Sequence, residues 1–213
     1  MGVVLKQIFF EYGKLYANLL EKIYPAKNST GFAERNLSVN FAKAYERMAE
    51  GNNQEVYTWY EFQFGDKNNL HVDAVIINES SKELIIIESK RYNNPQEKIK
   101  EVGKDIYRIQ ELVDELKREN AEGIYRIKLD QMVKCQGIIL ADVWTETDAK
   151  REILEAYKKG IENPRDSEAF LKKYERKLGI DGGELEVQYD VQSFKTIDAV
   201  KNYNLVSFWW NIK

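Results

Sequence analysis

Residues 71–91 read HVDAVIINESSKELIIIESKR, two apolar runs separated by a polar turn. Valine and isoleucine dominate both runs, and β-branched side chains favour extended backbone. Glu79-Ser80-Ser81-Lys82 is short enough to fold one run back on the other as antiparallel strands. The second run, Leu84-Ile85-Ile86-Ile87, is apolar at consecutive positions. A strand of that composition belongs at the centre of a sheet, with both faces covered.

The flanking sequence supplies the cover. Ile8, Tyr12, Leu15 and Leu19 recur at helical spacing near the N-terminus. Pro25 and Lys27-Asn28-Ser29-Thr30-Gly31 break that helix, and a second runs from about Phe32 to Glu50 with Leu37, Phe41, Ala44, Tyr45 and Met48 on its apolar face. Strands are predicted at Val56–Phe64, Leu70–Asn78 and Glu83–Ser89. Pro95 opens a long helix whose apolar face includes Ile106, Ile109, Leu112, Val113 and Leu116, and Val133–Ala141 reads as a fourth strand. Beyond Asp142, helices are expected at 148–159 and 167–178, then strands at 184–194 and 204–212. The aromatic end Phe208-Trp209-Trp210 reads as a docked terminal strand. The chain thus divides into an N-terminal helix (1–30), a core (31–142) and a C-terminal part of helices and strands packed on that core (143–213). The fold class is α/β, a mixed central sheet flanked by helices.

Composition bounds the function. A chain of 213 residues with 43% hydrophobic residues builds one domain, with or without an appendage. Cys135 is the only cysteine, so no internal disulfide forms, and in VKCQGIIL it reads as a small core residue. A reducing, cytoplasmic compartment fits. Lys6, Glu11 and Lys14 interrupt the first apolar stretch, which excludes a signal peptide or membrane span there and predicts no membrane partner. A net charge of −3 gives nucleic-acid binding no general support, although a local basic groove on an acidic protein can hold phosphates.

The chemistry concentrates where the two strands of the hairpin meet. Side chains alternate across a strand, so Glu88 and Lys90 share one face. Asp73 shares its face with His71, Val75 and Ile77, and pairing of the strands brings Asp73 towards Glu88. Two carboxylates so placed repel each other unless a cation intervenes. Mg²⁺, or Mn²⁺ in its place, takes oxygen ligands of this kind, and the Ser89 carbonyl would add one more. Lys90 could orient or help deprotonate an attacking water, or offset phosphate charge. The acid-x-Lys spacing also occurs at Glu115/Lys117, Asp148/Lys150 and Glu175/Lys177, but on predicted helices, where i and i+2 do not face each other. The bland alternative is a pair of solvated strand ends joined by a weak surface ion pair.

With Asp73, Glu88-Ser89-Lys90 and the order helix, three strands, helix, strand in place, residues 32–141 resemble the PD-(D/E)XK nuclease superfamily, which includes many restriction endonucleases. Asp73, Glu88 and Lys90 match the family's Asp, Glu and Lys; Val72 stands where the name-giving proline would. The resemblance implies a restriction-endonuclease-like core and a glutamate from the preceding helix, for which Glu34 is the candidate. It implies a Mg²⁺-dependent endodeoxyribonuclease acting on DNA, with Asp73, Glu88, Ser89 and Glu34 at the metal and Lys90 at the water. Duplex cutting by such an enzyme needs two active sites and hence a homodimer.

Other residues read less sharply. Glu61 and Gln63 share a parity on the first strand, and Glu61 reads as outward-facing. His71, the single histidine, reads as a partly buried structural residue. Lys100, Lys104 and Arg108 form an i, i+4, i+8 row able to track a phosphate backbone, but the interleaved Glu97, Glu101 and Asp105 favour a solvated face of intrahelical ion pairs. Arg91 follows Lys90 directly and is better placed to meet a phosphate. Two rival functions stand beside the nuclease: a non-catalytic nucleic-acid-binding or interaction protein on the same scaffold, and a nuclease acting on RNA or branched DNA.

Overall fold

The hairpin forms, and the sheet grows outward from it. The structure, a computed structural model, describes residues 4–22, 34–64, 70–91, nine helical residues between 105 and 116, and residues 131–145, 188–195 and 202–212. The helices expected at 148–159 and 167–178, and Lys100, Lys104, Glu97 and Glu101, lie outside them. The described helices are α1 (Leu5–Lys22) and α2 (Arg35–Gly51). The strands are β1 (Val56–Phe64), β2 (Leu70–Asn78), β3 (Glu83–Arg91), β4 (Lys134–Thr145), β5 (Gln188–Lys195) and β6 (Asn202–Ile212). They form one mixed, open sheet in the order β1-β2-β3-β4-β6-β5. Among the described strands only β3 and β4 pair in parallel. A parallel pair needs a crossover, and the helical residues between 105 and 116 lie within it.

Two apolar layers sandwich the sheet. On one face, Ile8, Phe9, Tyr12 and Tyr16 of α1 and Leu37, Phe41 and Tyr45 of α2 cover Ala74, Ile76, Ile85 and Ile87. The Phe9 ring lies 5.4 Å from Phe41 and 4.7 Å from Trp209, centroid to centroid. On the other, Ile106, Ile109, Leu112 and Val113 cover Val75, Leu84, Ile86 and Ile139. The consecutive isoleucines of β3 therefore feed both layers, and each buried side chain contributes about 1.5–3 kcal/mol. The buried stripe of α1 is rotated from the expected one: Phe9, Tyr16 and Leu20 are buried, while Leu15 and Leu19 are half-buried. Cys135 is half-buried against the second layer.

The C-terminal strands continue the same sheet. The terminal segment docks as β6, antiparallel to β4 from Thr145↔Asn202 to Cys135↔Ile212. Alternation sends Trp209 into one layer and Trp210 into the other.

At the end of β3 remote from Lys90, Glu83 is buried and fully satisfied. Tyr45 Oη donates to Glu83 Oε2 at 3.0 Å, Asn78 Nδ2 donates to Tyr45 Oη at 3.0 Å, and Lys134 Nζ meets Glu83 Oε1 at 2.8 Å. A closed network of this kind holds elements together and leaves nothing over for a ligand.

Candidate functional site

The β2–β3 ladder stops early. Its last pair is Ala74↔Ile87, although β2 continues to Leu70 and β3 to Arg91. Beyond that pair β3 stays bonded to β4 and β2 stays bonded to β1. The two strands of the hairpin part, leaving N–H groups on β3 that a neighbouring strand would have taken. Carboxylates take them instead. Ser89 N donates to Asp73 Oδ2 at 2.6 Å, and Arg91 N donates to Glu34 Oε1 at 2.9 Å. In extended backbone the N–H and C=O of one residue point the same way, so the Ser89 carbonyl faces the gap too.

Asp73 sits at a break in strand alternation. Tyr60 pairs with Ala74 and Phe62 with Val72, but no pairing joins Glu61 to Asp73. Glu61 adopts φ 52°, a left-handed conformation that costs a non-glycine residue about 1–3 kcal/mol. Tyr60 and Ala74 face the α1–α2 layer, while Phe62 and Val72 face the other. The expected sharing of one face by His71 and Asp73 assumed unbroken alternation, which this kink removes. The side chains of Glu61 and His71 lie at the surface, with His71 Nε2 3.6 Å and Arg35 Nε 3.9 Å from the Glu61 carboxylate. His71 is thus exposed rather than partly buried. Glu61 faces outward as expected.

Glu88 and Lys90 do not form a surface pair. The Glu88 side chain is 6% exposed and that of Lys90 23%, with Lys90 Nζ 3.0 Å from Glu88 Oε1. The crossover helix adds two partners. Lys90 Nζ lies 3.6 Å from Asp105 Oδ2, and Arg108 Nη2 contacts Glu88 Oε1 and lies 3.4 Å from Asp105 Oδ1. Arg108 therefore keeps an intrahelical pair with Asp105, as expected, but turns into the cluster rather than lying on a solvated face. Arg91 is half-buried near Asp142, not displayed to solvent.

Burial, then the like charge of Glu88, pushes the Asp73 carboxyl up to about 6, against lowering by the Ser89 N–H and by Lys90. Burial likewise lifts Asp105 to about 6, opposed by Lys90 and Arg108. Burial alone would lower Lys90, but Glu88 and Asp105 outweigh it and leave its pKa above the ordinary value. Lys90 is an ammonium at neutral pH.

An oxygen-seeking divalent cation fits this donor set. Glu88 Oε2 is buried without a hydrogen-bond partner among the described residues, and the neighbouring Asp73 carboxyl resists ionisation beside it. Among the described residues no three His, Cys, Asp or Glu side chains gather as a complete cage. Mg²⁺ does not need one, since it commonly takes one or two carboxylates and keeps waters. Glu34 belongs to an adjoining group, its charge acting on Asp142.

Asp142 is 1% exposed and accepts from Tyr203 Oη at 3.3 Å, while its Oδ1 has no hydrogen-bond partner among the described residues. Burial raises it to about 6, against Arg91 and the Tyr203 bond, with Glu34 raising it further. A folded-state pKa above the unfolded 3.8 gives stability that is full below pH 3.8 and lost as pH rises through about 6. The loss is on the order of 2–3 kcal/mol. Asp142→Asn should therefore match the wild type in unfolding free energy near pH 4 and exceed it by about 2 kcal/mol at pH 7.5. Denaturant melts at both pH values check this, and parallel pH curves for the two proteins would refute it.

A scan of protein-family models, a search of curated proteins and a search of solved structures each found no match to this chain.

Proposed function

We propose that this chain is a Mg²⁺-dependent nuclease of the PD-(D/E)XK kind, hydrolysing DNA phosphodiester bonds at the gap between β2 and β3. The observation that carries the reading is the meeting of Asp73, Glu88 and Lys90 where the hairpin strands separate, with a buried carboxylate oxygen left over. Further support comes from the succession of α2, three antiparallel strands, crossover helical residues and a strand parallel to β3. The backbone kink at Glu61 adds to it, since strain of this kind gathers at functional positions.

Asp73, Glu88 and the Ser89 carbonyl would hold the cation, with Glu34 assisting from the adjoining edge. When bound, the cation supplies positive charge that acidifies water and offsets charge on the phosphoryl group. In the hydrolysis, a water oxygen attacks phosphorus in line with the leaving oxygen and the P–O bond to that oxygen breaks. The water gives up a proton, and the leaving oxygen gains one. Lys90, held charged by Glu88 and Asp105, can donate to the attacking water or to a phosphate oxygen; as an ammonium it cannot take the water's proton. Burial of the acids excludes bulk water and strengthens each of these interactions. Two copies of the chain would cut both strands of a duplex.

The test is cleavage of duplex DNA with Mg²⁺, repeated with chelator and with Asp73→Ala. Activity should need the metal and fall at least a hundredfold in the variant. Cleavage that persists unchanged in folded Asp73→Ala removes the site. Full metal binding without cleavage of any nucleic acid points to the non-catalytic reading.

A further inference from the structure

Arg108 engages one oxygen of the carboxylate that the proposed cation needs. Its Nη2 meets Glu88 Oε1, the oxygen that Lys90 Nζ already touches at 3.0 Å. The pairing lacks the two-nitrogen fork of a structural arginine–carboxylate contact: Arg108 Nε and Glu88 Oε2 are both buried without hydrogen-bond partners among the described residues. A guanidinium held through one nitrogen is easier to release than one held through two. The Arg108 side chain is 29% exposed although its Nε and Nη2 are buried, so solvent reaches part of the side chain but not these two nitrogens.

Charge counting points the same way. The cluster holds three carboxylates, Asp73, Glu88 and Asp105, against two cations, Lys90 and Arg108. A divalent ion added with both cations in place would leave a net positive site, and Coulomb repulsion in so buried a cluster is costly. Release of Lys90 or Arg108 would relieve that repulsion. Lys90 meets Glu88 and Asp105 from the same strand as Glu88, whereas Arg108 meets them from the facing helix. Arg108 is therefore the one whose withdrawal leaves the Glu88–Lys90 strand in place.

We propose that Arg108 is a resident counter-ion of Glu88 that a divalent cation displaces, freeing the guanidinium to bind a phosphate of the nucleic acid. The inference rests on the reading of Asp73 and Glu88 as cation ligands. It makes metal and nucleic acid cooperative: a phosphate that holds Arg108 away from Glu88 opens the metal position, and by linkage the metal opens the phosphate position. A charged latch that guards a buried acid pair also limits metal uptake in the absence of substrate.

The experiment is a calorimetric titration of Mg²⁺ into the full chain without nucleic acid, for wild type, Arg108→Gln and Arg108→Lys, each first melted to establish folding. Arg108→Gln removes the competitor and should bind Mg²⁺ about tenfold more tightly, whereas Arg108→Lys keeps a cation and should stay within about threefold of wild type. If Arg108→Gln does not fold, Arg108→Met, also uncharged, replaces it. DNA cleavage at saturating Mg²⁺ should fall in the uncharged variant despite its tighter metal binding. Equal or weaker Mg²⁺ affinity in the uncharged variant overturns the latch and leaves the metal site standing. No Mg²⁺ binding in any of the proteins overturns the latch together with the reading of Asp73 and Glu88 as ligands.

Discussion

Lys90→Met should lower Mg²⁺-dependent DNA cleavage by about 10²–10³-fold, equivalent to about 3–4 kcal/mol of transition-state stabilisation. Met keeps most of the length of the side chain and removes its charge. The ammonium it replaces is fixed by Glu88 at 3.0 Å and Asp105 at 3.6 Å, so its position costs no reorganisation during the reaction. Loss of a buried cation also destabilises its acid partners, typically by 3–5 kcal/mol when a pair is left uncompensated. Arg108 remains beside both acids and should hold the loss to about half of that. Lys90→Arg separates the two roles. It keeps the charge and the ion pairs but replaces a point donor with a planar fork. Wild-type cleavage in Lys90→Arg would make Lys90 a mere counter-ion. A hundredfold loss with unchanged melting temperature would place it at the reaction.

Gly137→Ala should destabilise the protein by about 2–4 kcal/mol, the largest effect expected from adding one methyl group. A Cβ at Gly137 would lie 2.2 Å from Trp210 Cζ2 and 2.4 Å from Cε2. Trp210 is its ladder partner on β6 and is 1% exposed, so the indole cannot swing out of the way. The rigid ring must instead push β6 off β4 or distort its own packing on the second apolar layer. For a chain of this size the cost lowers the melting temperature by about 5–15 °C. Trp210→Phe in the same chain should recover part of the loss, because the smaller ring leaves room for the methyl, and a double-mutant cycle would show strong coupling. A melting temperature within about 2 °C of wild type for Gly137→Ala would contradict the β4–β6 packing.

Local chemistry was enough to place much of the chain. β1 and β2 fall at the residues their alternation and turns predict, and β3 and β4 begin within one residue of expectation. The stripe Ile106, Ile109, Leu112, Val113 is buried as its 3.6-residue period requires. Asp105 joins the buried cluster rather than the solvated face expected for it, although the spacing 105, 109, 112 and 116 puts it on the buried side of that stripe. The interleaved opposite charges favour intrahelical pairing on sequence grounds alone. The role of Arg108 had no local sign, because its partner Glu88 is twenty residues away and on another element.

From residue order alone come the hairpin, the central strand buried on both sides, the helices that cover it and the nearness of Asp73 to Glu88, because strand and helix periods are properties of neighbouring residues. The tertiary structure decided where β2 leaves β3, that Glu61 kinks and breaks the alternation at Asp73, and that an acid and an arginine from the crossover helix close on Glu88. Those features depend on twist, packing and burial between segments far apart in the chain, and burial is what lifts the Asp73 and Asp105 carboxyls above their ordinary range.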